Sequence, residues 1–185
     1  MNYMILVDPQ NDFISGLFKN EEAVRILPNI CKAVKDHNGP IFATKDTHTG
    51  FGSEKSVELS VFGEHCIKDT WGWNFPEEIL SALREQGNYY GYAEKNTFGS
   101  MDLANTIRNA ERSFKSSSDT DIPSFTVIGL DTDICVVSNA LILRSAFPES
   151  VITVYSDCCA GSTPENHLAA LNVMRSCCIE IKQLL

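Results

Sequence analysis

Short runs of aliphatic and β-branched residues alternate along the chain with stretches whose apolar positions recur at helical spacing. Met4-Ile-Leu-Val7 and Pro40-Ile-Phe-Ala-Thr44 read as buried strands, and Asn88-Tyr-Tyr-Gly-Tyr92 as a weaker third. Strands over 125–128, 151–155 and 179–181 complete the set. From Ala23, the positions Ile26, Leu27, Ile30, Cys31 and Val34 lie on one helical face. Pro28 interrupts that face, which predicts a helix opening at Pro28, with Gly39 as its terminator. Further helices are predicted over 76–86, 101–112 and 133–147. A last one opens at Ser162-Thr-Pro-Glu165, a capping-box arrangement with proline in the first turn, and sets Leu168, Leu171 and Met174 on one face. Strands separated by helices need crossover connections, so a parallel sheet is the expected core. The predicted fold is a three-layer α/β/α sandwich around a mainly parallel, doubly wound sheet of about six strands.

No internal repeat or long linker divides the chain, and the one low-complexity stretch, 115–121, reads as a short solvated loop. The expectation is a single domain over 1–185. An apolar fraction of 43% and a charged fraction of 21% exclude a disordered or fibrous chain. The formal net charge of −9 argues against binding nucleic acid through its phosphates, which needs a Lys/Arg surplus. The longest apolar segment, 134–143, is shorter than the roughly 18 residues of a membrane span. Seven cysteines without a CxxC spacing, and an N-terminus lacking a basic region, suggest a reducing, cytoplasmic compartment.

In an open parallel sheet, ligands bind beyond the carboxyl ends of the strands. Asp8-Pro-Gln-Asn-Asp-Phe13 follows the first predicted strand and Lys45-Asp-Thr-His48 the second. Ala93-Glu-Lys-Asn-Thr-Phe98 follows the third, and Gly129-Leu-Asp-Thr-Asp-Ile-Cys135 the fourth. A carboxylate (Asp8), a lysine (Lys95) and a cysteine (Cys135) therefore converge on one sheet edge. Each has a plain structural reading: Cys135 as a packing residue, Asp8 as a helix cap, Lys95 as a solvated cation. Together they suit nucleophilic catalysis. A helix N-terminus and Lys95 would favour the Cys135 thiolate, and Asp8 would shuttle the proton to the leaving group. Asp46 and His48 stand two residues apart, so an extended chain sets both side chains on one face. His65, closing a loop onto them, would complete a three-ligand metal set with open positions.

These blocks, with Asp157-Cys-Cys-Ala160 and Thr163-Pro-Glu-Asn-His167, resemble in order the signature segments of the isochorismatase-like cysteine hydrolases. The resemblance covers nearly the whole chain. It implies a catalytic triad of Asp8, Lys95 and Cys135, and the cysteine argues for the amidase branch. It also implies a cis peptide between Leu130 and Asp131, which would aim the backbone N–H groups of Asp131 and Cys135 at a developing oxyanion. Asp46-Thr-His48 with Phe62-Gly-Glu-His-Cys66 looks like the metal-binding blocks of nicotinamidases. That implies a divalent ion on Asp46, His48 and His65, with Zn²⁺ first and Fe²⁺ or Mn²⁺ as alternatives. Glu54 and Glu58 are the open choices for a further ligand. Phe13 and Phe62 occupy the places of the aromatics that flank the substrate ring. His37, His167 and the remaining cysteines read as structural.

Two positions depart from the nicotinamidase pattern. Asp131 stands where those enzymes carry a small apolar residue, and Asp69-Thr70 where they tend to have Gly-Thr. The expected activity is deamidation of nicotinamide to nicotinate and ammonia, the partner being a small-molecule amide. The alternatives are a metal-independent hydrolase of ureidoacrylate or an N-carbamoyl compound, and a non-catalytic small-molecule-binding member of the fold. Monomer and homo-oligomer are both open.

Overall fold

The computed structural model describes residues 1–50, 52, 55–114 and 122–185; the predicted loop at 115–121 and Glu54 fall outside them. Six strands form one sheet: β1 (Asn2–Val7), β2 (Ile41–Asp46), β3 (Tyr89–Lys95), β4 (Ser124–Leu130), β5 (Val151–Ala160) and β6 (Glu180–Lys182). Their spatial order is β3-β2-β1-β4-β5-β6, and every pairing is parallel. The order reverses direction between β1 and β4, and that switch point is where an open α/β sheet leaves a crevice.

Period-two alternation divides the strand side chains between two helical layers. On β1, Tyr3, Ile5 and Val7 enter one core with Leu103 and Ile107 of α5 (Met101–Phe114) and Ala140 and Leu143 of α6 (Val137–Ala146). Leu171 and Met174 of α7 (Pro164–Ser176) close that side. Met4 and Leu6 enter the opposite core, against Ile30, Ala33 and Val34 of α2 (Glu21–Asp36) and Ile79, Ala82 and Leu83 of α4 (Glu77–Gln86). Each of these aliphatic side chains contributes about 1.5–3 kcal/mol on burial, so both sheet faces must be covered. Two short helices, α1 (Asn11–Ile14) and α3 (Val57–Phe62), lie in the connections that follow β1 and β2; the hydrophobic pattern predicts neither.

Several boundaries differ from the expectation. Helix α2 begins at Glu21, not Pro28, because Asn20 caps it: its side chain accepts from the backbone N–H groups of Glu22 (2.9 Å) and Ala23 (3.3 Å). Pro28 sits inside the helix on its exposed face, and the buried row Ala23, Ile30, Ala33 and Val34 offsets the lost hydrogen bond. The helix ends at His37, not Gly39. Glycine is required at 39 for another reason: a Cβ there would stand 2.1 Å from the carbonyl oxygen of Asn2. The cap of α7 is Thr163, which receives the N–H of Asn166, one residue beyond the predicted frame. β3 and β5 run on into the segments read as loops, to Lys95 and Ala160. Among the described residues no disulfide forms, and no helix is long and apolar enough to cross a membrane.

Candidate active site

The carboxyl ends of four adjacent strands deliver the predicted residues to one place. Asp8 directly follows β1, with φ 42, in the left-handed region that aspartate tolerates better than most residues. Asp46 and Lys95 are the last residues of β2 and β3, paired in register. Beyond β4, the Leu130–Asp131 peptide is cis, as the resemblance implies. Gly129 just before it has φ 131, and a Cβ there would stand 2.0 Å from the Val7 carbonyl oxygen, so only glycine lets β4 lie this close to β1. Cys135 follows in a π-helical turn, Thr132–Val136, rather than in the first turn of an α-helix. The neighbouring α6 is tied down by Asn139, whose amide donates to the Cys135 carbonyl (2.8 Å) and whose oxygen accepts from Ser100 N–H (3.0 Å).

Asp8, Lys95 and Cys135 are in contact. Lys95 Nζ lies 2.7 Å from Asp8 Oδ2, 3.4 Å from Cys135 Sγ and 3.4 Å from Asp46 Oδ1. Thr44 Oγ1 donates to Asp8 Oδ1 at 2.6 Å. All three residues are buried. Burial pushes the Cys135 thiol well above its usual range; Lys95 pulls the other way, while Asp8 and Asp46 push with burial. Burial likewise raises Asp8 against the pull of Lys95. For Lys95, burial opposes the charge, but Asp8, Cys135 and Asp46 outweigh it and keep the ammonium protonated. The lysine's charge is thus shared between the thiol and two carboxylates, and burial works against the thiolate that Lys95 favours.

Beside this group, Asp46, His48, Glu58 and His65 place one donor atom each within 4.8 Å of one another, all buried. Nε2 of His48 and of His65 lie 3.2 and 3.0 Å from Asp46 Oδ2, and His65 Nε2 lies 3.6 Å from Glu58 Oε1. Burial opposes protonation of His65, but hydrogen bonds to Asp46 and Glu58 prevail and move it up to about 10. Two imidazoles and two carboxylates this close are a donor set suited to a divalent first-row ion. His65 Nδ1 meets the Gly63 carbonyl at 2.8 Å, which fixes the ring with Nε2 toward the cluster. Of the two open choices for a further ligand, Glu58 joins the cluster; Glu54 lies outside the described residues.

Gln10 clamps the end of β2 to the segment at Trp73, a role that sequence reasoning missed. Its amide donates to the carbonyls of Asp46 (2.8 Å) and Trp73 (3.1 Å), and its oxygen accepts from Asp46 N–H (2.7 Å). Asp69 stands at φ 66, a left-handed conformation that accounts for glycine being usual at this place in the pattern. His167 is engaged with Thr132 Oγ1 at 2.8 Å, in keeping with a structural reading.

Cys135 and His65 open onto a cleft of about 520 Å³. Phe13 and Phe62 both line it, and each has a partner absent from the sequence reading. Phe13 stacks on Phe18 (6.1 Å between centroids), and Phe62 meets Phe98 edge-on (6.3 Å). The cleft thus has aromatic walls, with a buried thiol and a four-donor cluster opening onto it.

The all-parallel sheet between two helical layers, with this site at its strand ends, is a doubly wound α/β/α sandwich, and family comparison makes this specific. The isochorismatase domain matches residues 2–183, and the chain belongs to that family. In structure it is similar to a nicotinamidase from Bacillus subtilis (TM-score 0.80, 21% identity, covering 98% of this chain and 99% of that one). It is also similar to a pyrazinamidase of Pyrococcus horikoshii in complex with zinc (0.73, 23%, 99% and 99%). A third is the N-carbamoylsarcosine amidase from Thermoplasma acidophilum (0.75, 21%, 98% and 95%). At these identities the likeness concerns the fold. No curated protein matches the chain by sequence.

Proposed function

We propose that this protein is a cysteine amidohydrolase that converts nicotinamide to nicotinate and ammonia through a thioester on Cys135. The observation that carries this reading is the contact group Asp8–Lys95–Cys135 adjoining the four-donor cluster at one aromatic-walled cleft. Asp8 accepts the thiol proton as Cys135 Sγ attacks the amide carbon, and returns it to the departing nitrogen, which leaves as ammonia. Lys95 holds Asp8 in place and offsets the charge that forms on sulfur. The backbone N–H groups of Asp131 and Cys135 are the donors for the oxyanion. Water then cleaves the thioester, with Asp8 as base. Phe13 and Phe62 hold the flat ring between them. A divalent ion, zinc in the first place, would be held by Asp46, His48 and His65 with Glu58, and would supply a Lewis-acid partner for the ring nitrogen.

The donor cluster favours nicotinamide over a carbamoyl substrate hydrolysed without metal. The test is ammonia release from nicotinamide, benzamide and an N-carbamoyl amino acid, with and without chelator. Nicotinamide should be turned over fastest, benzamide poorly for want of a ring nitrogen, and the Cys135→Ala variant should be inert. Ammonia release by Cys135→Ala, or equal rates on benzamide and nicotinamide, would overturn the reading.

A further inference from the structure

Asp131 has a side chain that the mechanism above does not use. Its residue lines the cleft beside Cys135, and its Oδ1 is buried without a hydrogen-bond partner among the described residues. Folded proteins pair nearly all such atoms, so an orphaned acceptor on a binding cleft points to a donor supplied by the ligand. The charges around it are already engaged. Asp133 accepts from Ser162 N–H (2.8 Å) and Ser162 Oγ (2.6 Å), and Asp8 is held by Thr44 and Lys95. No ion pair among the described residues reaches Asp131. Apart from His65 and Glu58, which face each other in the donor cluster, the cleft walls carry the carboxylates Glu21 and Asp131 and one lysine, Lys19.

We propose that the Asp131 carboxylate is a specificity determinant that accepts a hydrogen bond from a nitrogen on the substrate other than the amide being cut. Among the amides the cleft accepts, one carrying an additional amino or ammonium group is then preferred over its matched counterpart without one. This rests on the reading of the cleft as an amide hydrolase site, and deepens it. The electrostatics agree. Burial, helped by Asp133 and Asp8, moves the Asp131 carboxyl up to about 7, so an N–H donor or cation would draw it back to the ionised acceptor form.

The test compares kcat/KM for matched amides: nicotinamide against 2-aminonicotinamide and 6-aminonicotinamide, and acetamide against glycinamide. Wild-type protein should favour the amino-bearing member of at least one pair. Asp131→Ala should cut that preference roughly tenfold or more, because a site built to bond a donor discriminates strongly against its absence. Asp131→Asn keeps an acceptor without charge. It should retain a preference for the neutral aminopyridines and lose one for glycinamide, which separates a neutral donor from a cation. The same pairs are then titrated calorimetrically against Cys135→Ala and Cys135→Ala/Asp131→Asn protein. Should wild type hydrolyse none of these amides, the amidase reading falls, and the ratio of dissociation constants alone decides the role of Asp131. Pair ratios unchanged by substitution at Asp131, in both turnover and binding, or a wild-type preference for the unsubstituted member of every pair, would overturn the proposal.

Discussion

Replacing Lys95 by methionine tests the electrostatic account of the site most directly. Methionine keeps most of the side-chain volume and removes the ammonium that lies 2.7 Å from Asp8 and 3.4 Å from Asp46, two carboxylates with no solvent exposure. Removing one partner of a buried ion pair costs about 3–5 kcal/mol, because the remaining charge is left uncompensated. That is a large share of the roughly 5–15 kcal/mol that holds a domain together. The loss should depend on pH in a defined direction. Burial already raises Asp8, with Lys95 as the main opposing influence, so the substitution raises its folded pKa further. A carboxyl whose folded pKa lies above its unfolded value of about 3.9 favours the folded state at low pH, where it is neutral, and that contribution is lost as pH rises through the folded value. The deficit of Lys95→Met against wild type should therefore be small near pH 4 to 5 and open toward neutrality. Adding Asp8→Asn removes the stranded charge, so the double variant should be more stable than Lys95→Met at pH 7.5, although inactive. Urea unfolding followed by the fluorescence of the buried Trp73, with chelator throughout, reads all three proteins. A wild-type midpoint for Lys95→Met at pH 7.5, or a double variant less stable than the single one, would refute the reasoning.

Three further outcomes are expected. Because burial pushes the Cys135 thiol up, its alkylation by iodoacetamide should be slow at pH 7 and accelerate into the alkaline range, and Lys95→Met should shift that rise still higher; a plateau below neutrality would contradict it. On the proposed function, the donor cluster would position the ring without supplying the nucleophile, so His48→Ala should raise KM for nicotinamide far more than it slows alkylation of Cys135; steady-state kinetics beside alkylation rates measure the difference. Asn20→Ala should lower stability by about 1 kcal/mol by removing the cap of α2, and somewhat more because the same side chain donates to the Gly161 carbonyl at 2.8 Å; denaturant midpoints check it.

Much of the site was legible because its residues lie where strands end, and strand ends are a local property. Asp8, Asp46, Lys95 and Cys135 each follow a short apolar run, and one rule about open parallel sheets gathers them at a common edge. The spacing of Asp46 and His48 likewise needs only an extended backbone. What depends on two distant segments meeting was not legible. The place of Glu58 turns on how α3 brings it back beside His65 and the end of β2, and the partnership of Phe98 with Phe62 joins segments that share no periodicity. Helix α2 shows the same division: the apolar row is plain in the sequence, but Pro28 is tolerated only because the tertiary core rewards a longer helix capped by Asn20.

Protonation belongs wholly to the tertiary structure. In the sequence, Cys135 near a helix start with a lysine to hand reads as a thiolate. In the folded protein the same lysine is shared with Asp8 and Asp46, and burial pushes the thiol up against its pull. The unpartnered oxygen of Asp131 is of the same kind, since an acceptor without a donor can be recognised only when every neighbour is in place. The sequence by itself determined the order of the strands along the chain and which chemical groups their ends present, because these follow from local periodicity and residue type. Only the tertiary structure decided their charge states, their pairings and the shape of the cleft, because desolvation and contact are properties of the packed whole.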